Sequence, residues 1–139
     1  MSIKTIDATI NRPEGHRLIN APAIKIDFDD YVHQLKLENP WETNHRNAIT
    51  VFKTYGVTVV ITALRKGAAI CSMQADGLII LQVMEGAIRV SNNENSSILS
   101  NRQMIILNAA PSSDVIATED SVIQLSYIKT FTASDDNIF

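Results

Sequence analysis

Residues 67–86 read GAAICSMQADGLIILQVMEG, and this stretch decides the fold. Two turn pairs, Asp76-Gly77 and Glu85-Gly86, bracket the apolar run Leu78–Met84. That run is strand-sized. Alternation sends Ile79, Leu81 and Val83 to one face and Leu78, Ile80 and Met84 to the other. A strand that is apolar on both faces must be covered on both. Upstream, the same alternation places Cys71, Met73 and Ala75 on one face.

Working outward, further strand-like runs follow one another at short intervals. Asn47–Lys53 and Val57–Leu64 flank Tyr55-Gly56, a hairpin or bulge signal. Val57, Val59, Ile61 and Ala63 share one face of the second run, with Val60 and Leu64 on the other. After Gly86 come Ala87–Ser91, Ser96–Leu99, Gln103–Leu107, Ser113–Ala117 and Ser121–Ile128. The breaks carry turn chemistry: Asn92-Asn93-Glu94-Asn95, Pro111-Ser112 and Glu119-Asp120. Eight short strands at this spacing predict a closed or sandwiched antiparallel β fold.

The sequence predicts one helix, over 28–38. Phe28, Tyr31, Val32 and Leu35 form an apolar stripe at i, i+3, i+4, i+7, and Asp27 is placed to cap it. The helix stops before Pro40 because the residue ahead of a proline avoids the α region. Ala23–Phe28 reads as a short strand leading into it. The whole chain, 1–139, reads as one domain. An arm over 1–22 is polar, with a turn at Pro13-Glu14-Gly15. Barrel strands fill 47–129, and the tail over 130–139 is polar until Ile138-Phe139. One helix covers only part of the two-sided strands. A second copy of the chain is the natural cover for the rest, so a homodimer is expected.

Composition narrows the class. Hydrophobic residues make up 45% and charged residues 19% of 139 residues, a globular balance. Area scaling buries about two-thirds of the chain's surface, enough for a real core. No stretch is long enough for a transmembrane helix, and the N-terminus lacks the apolar region of a signal peptide. A net charge of −3 without a basic run argues against nucleic acid as a partner. The single cysteine, Cys71, suits a reducing cytoplasm.

The segment from Gly67 to Ser126 resembles the cupin superfamily, the RmlC-like jelly rolls. More specifically, it resembles the small single-domain bacterial members. Their first motif runs Gly, five residues, His-x-His, three or four residues, Glu, six residues, Gly. Gly67 and Gly86 fit the two glycines, and LQVMEG (Leu81–Gly86) resembles the strand end and turn that close the motif. Counting from Gly67 puts the two histidine positions at Met73 and Ala75 and the glutamate position at Ile79. Aligning LSNRQMIIL with the second motif puts its proline position at Asn108, its glycine position at Ala110 and its histidine position at Ser113. The resemblance implies an all-β, antiparallel cupin-type jelly-roll β-barrel with one N-terminal helix.

The departure matters more than the match. Met73, Ala75, Ile79 and Ser113 stand where the family holds two histidines, a glutamate and a histidine. A hard or borderline divalent ion needs imidazole or carboxylate donors. No metal and no other cofactor is therefore expected, and the family's metal chemistry does not carry over. Two sulfurs on one strand, Cys71 and Met73, could hint at Cu(I). The plainer reading is that they fill an apolar cavity.

If the alignment holds, Met73, Ile79, Leu81, Ser113 and Tyr127 line a mostly apolar pocket. Trp41, His45 and Arg46 cluster just before a strand. They form either a rim that meets an anionic or sugar-like ligand, or a tryptophan packed under the helix beside an arginine paired with a surface carboxylate. His16 and His33 read as solvated, Cys71 as a buried inert thiol, and Asp114, Glu119 and Asp120 as solvent-facing. No catalytic residue is legible. Three functions stay open: a metal-free small-molecule-binding module without catalysis of its own, a metal-independent sugar isomerase or epimerase using His45, and a self-filled barrel that acts through a protein partner.

Overall fold

The computed structural model describes residues 4–6, 17–108 and 112–130. Within the expected arm, β1 (Lys4–Ile6) pairs with β2 (Arg17–Asn20) as a small antiparallel ribbon. Residues 23–27, expected as a strand, pair with nothing. Helix α1 then spans Phe28–Leu37. The Asp27 carboxylate accepts from the Asp30 amide at 3.4 Å and caps it. Asp29 and Asp30 sit in its first turn and Lys36 in its last, as the helix dipole favours. Leu35 is fully buried, Phe28, Tyr31 and Val32 pack beside it, and His33 on the other face is exposed.

Pro40 does not end helical structure. It sits in the first turn of a second helix, α2 (Asn39–Thr43), where its missing N–H leaves no hydrogen bond unmade.

Two antiparallel sheets make up the rest. The larger contains β3 (Arg46–Thr54), β4 (Val57–Leu64), β6 (Gly77–Glu85), β9 (Met104–Asn108) and β11 (Ser121–Lys129), in the order β3-β4-β11-β6-β9. The smaller contains β5 (Ala69–Met73), β7 (Ala87–Ser91), β8 (Ser96–Ser100) and β10 (Ser113–Ala117), in the order β5-β10-β7-β8. From β4 onward the chain crosses between the sheets at most turns, which is jelly-roll winding. The sheets face each other but no hydrogen-bonded ladder closes them into a cylinder.

The core has two layers. Between the sheets lie Leu64, Ile79, Leu81, Val83, Ile88, Val115, Ile123 and Leu125, each at most 4% exposed. Burying side chains of this kind contributes about 1.5–3 kcal/mol each. Behind the larger sheet, Ile49, Val51, Ile61, Ala63 and Val122 meet Leu35 and Trp41 from the helices. This explains the two-sided pattern of β4: Val60, Thr62 and Leu64 face the smaller sheet, while Val59, Ile61 and Ala63 face α1.

Asn47 fastens the helical layer to the sheet. Its side-chain nitrogen donates to the Leu35 carbonyl at 3.0 Å and to Glu38 Oε1 at 2.7 Å, and its oxygen accepts from the Ala48 amide. It is buried, and those three bonds make its burial tolerable.

Candidate functional site

Strand β5 does not keep simple alternation. Ser113 lies opposite Met73 and Val115 opposite Ile70, so Cys71 and Ser72 together oppose Asp114. This is a β-bulge. Ser72 takes a left-handed φ of 55°, and its amide donates to Asp114 Oδ1 at 2.8 Å. The extra residue turns Ile70 and Met73 to the same inner side and puts Cys71 outside. Cys71 is thus an exposed thiol, not a buried one, and it shares no face with Met73.

The four family ligand positions are filled with hydrocarbon, one hydroxyl and one thioether. Met73 is 5% exposed, Ile79 4% and Ser113 1%. Met73 and Ser113 are register partners across β5 and β10. Ile79 lies beside Tyr127 of β11 and Leu107 of β9. Ala75 packs on the same core from the turn after β5. This donor set does not fit a divalent ion, because carbon donates nothing and a lone hydroxyl and thioether are weak ligands. Among the described residues no group of three His, Cys, Asp or Glu side chains could hold a metal. Met73, Ile79, Leu81 and Ser113, expected to line a pocket, instead belong to the packed interior. Apolar side chains on two facing sheets close on each other to crystal-like density.

An opening lies at one side instead. The edge strands β3 and β5 face each other without pairing, and a cleft of about 440 Å³ enters between them. Its floor is Val60, Thr62, Leu125 and Tyr127 on the inner face of the larger sheet, with Ile70 opposite. Ala48, the register partner of Thr62, is small enough to leave the strand edge open. Arg46 stands at the rim and spans the gap: its Nη1 donates to the Ala69 carbonyl. Of the expected pocket residues, the structure brings Arg46 and Tyr127 together here.

The polar side chains of the cleft are Asn44, Arg46, Asn47, Thr62 and Tyr127, and the Asn47 amide is already engaged by Leu35, Glu38 and Ala48. The Thr62 side chain is buried, with no hydrogen bond from its hydroxyl among the described residues. Tyr127 is half-buried, and its hydroxyl likewise bonds to no described residue. Burial pushes its phenol up from the ordinary value near 10, so it stays neutral at physiological pH. Arg46 pairs with no carboxylate among the described residues, and no acidic side chain lines the cleft. Thr62 was not singled out from sequence. Its signal was a hydroxyl between Val60 and Leu64 on the inner face of VTVVITAL, the face that also carries Thr58.

Trp41 and His45 are not cleft residues. Trp41 is buried behind the larger sheet, with the Arg65 guanidinium 4.5 Å and the Lys36 ammonium 5.8 Å from its ring centre. Arg65 also donates to the Trp41 carbonyl and to Glu42. The tryptophan therefore packs under the helix, as the second of the two sequence readings has it. His45 is exposed at the turn into β3, with a left-handed φ of 61°. It neighbours Asn44 and Arg46 but does not line the cleft.

No protein-family model and no curated protein matches this chain. Solved structures do. A cupin superfamily protein from Desulfitobacterium hafniense superposes with a TM-score of 0.60 at 8% identity, over 63% of this chain and 80% of that one. A cupin-2 domain containing protein from Shewanella frigidimarina gives 0.58 at 14%, over 75% and 94%. KdgF from Halomonas sp. gives 0.56 at 18%, over 68% and 86%. At these identities the likeness is one of fold, and that fold is the cupin jelly roll. No helix among the described residues is long and apolar enough to cross a membrane.

Proposed function

We propose that this cupin-fold chain is a metal-free, non-catalytic module of a bacterial cytoplasm that binds a small molecule in the cleft between β3 and β5. One observation carries the reading. Met73, Ile79 and Ser113, at positions the cupin resemblance assigns to metal ligands, are buried and offer no imidazole or carboxylate, while a separate cleft of about 440 Å³ is open. Small-molecule sites have this size and this make-up: apolar walls with a few convergent polar groups. A metal-independent isomerase would need an acid and a base within reach of its substrate. His45 does not line the cleft, and among the described cleft-lining residues no histidine, carboxylate or lysine stands beside the Tyr127 phenol to act as a base.

Nuclear magnetic resonance of the labelled chain with a panel of small organic molecules tests this. Binders should shift the amides of Ala48, Thr62, Ile70 and Tyr127 together. Shifts scattered over the surface, or none, would discard the cleft as a ligand site and favour a scaffold that works through a protein partner.

The same reading makes the chain a homodimer. The helices cover the β3–β4 half of the larger sheet's outer face. At the other half Met104 and Ile106 of β9 are 50% and 56% exposed, beside half-buried Leu78 and Ile80 of β6. Gln82 and Asn108 are the polar neighbours in that row, and no charged side chain lies among them. A neutral apolar patch on an edge strand is best matched by its own copy across a two-fold axis. Light scattering should give twice the chain mass, and Ile106→Glu should give the single chain mass with an unchanged circular-dichroism spectrum. A wild-type monomer at micromolar concentration would refute the dimer.

A further inference from the structure

We infer that the cleft selects carboxylate-bearing molecules with a compact apolar body. This rests on the cleft being a ligand site and adds what it prefers. Among the cleft-lining residues the only charged side chain is Arg46, a cation at the rim. One of its nitrogens is held by the Ala69 carbonyl, which anchors one end of the guanidinium at the entrance. The other N–H groups meet no described carboxylate. A planar, pre-held guanidinium fits a carboxylate better than a neutral group, through charge-assisted hydrogen bonds.

A second observation points to a ligand independently. The Thr62 hydroxyl is buried on the cleft floor without a hydrogen-bond partner among the described residues, and such a group costs stability unless something completes it. Tyr127 offers in the same wall a second hydroxyl that bonds to no described residue. Both are neutral and can donate to oxygen.

Around them Val60, Ile70 and Leu125 supply apolar wall and exclude water from the body of the ligand. The Glu38 carboxylate keeps its negative charge, but it does not line the cleft. It is engaged by Gln34 and Asn47, at the junction of α1 and α2. The arrangement is therefore a cationic rim with the Asn44 and Asn47 amides beside it, a neutral hydroxyl floor and an apolar wall of Val60, Ile70 and Leu125. An amine would meet like charge at the rim. A sugar would meet too few polar partners inside.

The test compares matched pairs that differ only in charge: hexanoate with hexanamide, and phenylacetate with phenylacetamide. Dissociation constants come from amide shifts at Ala48, Thr62, Ile70 and Tyr127. Each acid should bind at least about tenfold more tightly than its amide, and the gap should narrow as salt is raised. Arg46→Met should remove the gap, whereas Arg46→Lys should keep part of it. Tyr127→Phe and Thr62→Val should weaken acid and amide alike. Unfolding curves and amide spectra of each variant show that it is folded. If acids and amides bind the cleft equally, the carboxylate preference is wrong and the cleft remains a small-molecule site. If none of the four shifts these amides, both fall.

Discussion

Gly86→Ala is expected to destabilise the chain by about 3–5 kcal/mol and lower its unfolding midpoint by roughly 10 °C or more. Two effects add at this position. Gly86 has a φ of +92°, which disfavours any side chain by about 1–2 kcal/mol. A Cβ built there would also strike the Asp120 carbonyl oxygen, the Ser121 hydroxyl and the Ser121 Cα, none of which can yield cheaply. The Ser121 hydroxyl accepts from the Ala87 amide and donates to the Glu119 carbonyl, so it is fixed from both sides. The Gly86 amide is itself held by Asn101 Oδ1 at 2.6 Å. Gly67 supplies the control. Its φ is +88°, but a Cβ there meets nothing within 4 Å, so Gly67→Ala should cost only the strain. Thermal or urea unfolding of both variants gives the comparison. Equal losses would mean that the close approach of β6–β7 to β10–β11 is not what fixes Gly86.

The two glycines had one meaning in the sequence, as ends of a motif, and have two in the structure. That difference is typical of what could be read in advance. Turn residues and alternation located most strands, because both act within a few residues. Val57–Leu64, Ala87–Ser91 and Ser113–Ala117 form over the ranges expected. What escaped depends on partners far along the chain. The bulge at Ser72 is created by Asp114 across the sheet, and nothing in ICSM shows that Cys71 will be turned out. Helix α2 escaped because Pro40 is a stop signal inside a helix and a start signal at its first turn, and spacing alone does not say which. The cleft escaped for a third reason. It exists because two edge strands fail to pair, and pairing that does not happen leaves no pattern. Its legible traces were Arg46 at the start of β3 and Tyr127 on β11. The counted family positions at Met73 and Ser113 do lie opposite each other. At those positions the chain carries a thioether and a hydroxyl, where the resemblance would put histidines.

Ile79→Glu tests that difference most directly, because it restores the family's residue type at a position this chain has filled. The expected result is a loss of several kcal/mol at pH 7, with much of it recovered on acidification. Ile79 is buried, with Tyr127 and Leu107 as its register partners and Met73 in the same cluster, so the new carboxyl would find no cation beside it. Burial without a partner raises a carboxyl's pKa by up to about 3–5 units above its unfolded value near 4.3. Between those two values the folded state holds a proton that the unfolded state has released. Stability therefore falls as pH rises through that window, by up to about 1.4 kcal/mol per pH unit, and levels off above the folded pKa. Below pH 4 the carboxyl is neutral in both states, and only the lost apolar burial of the isoleucine remains. Ile79→Gln should show that residual loss at every pH, and Ile79→Leu should lose little. Urea midpoints from pH 4 to pH 8, each taken against the unsubstituted chain, measure the difference. An Ile79→Glu chain as stable as its parent, with no pH dependence of its own, would mean that water reaches this position. The interior would then be an open pocket, and the ligand would belong there and not in the cleft between β3 and β5.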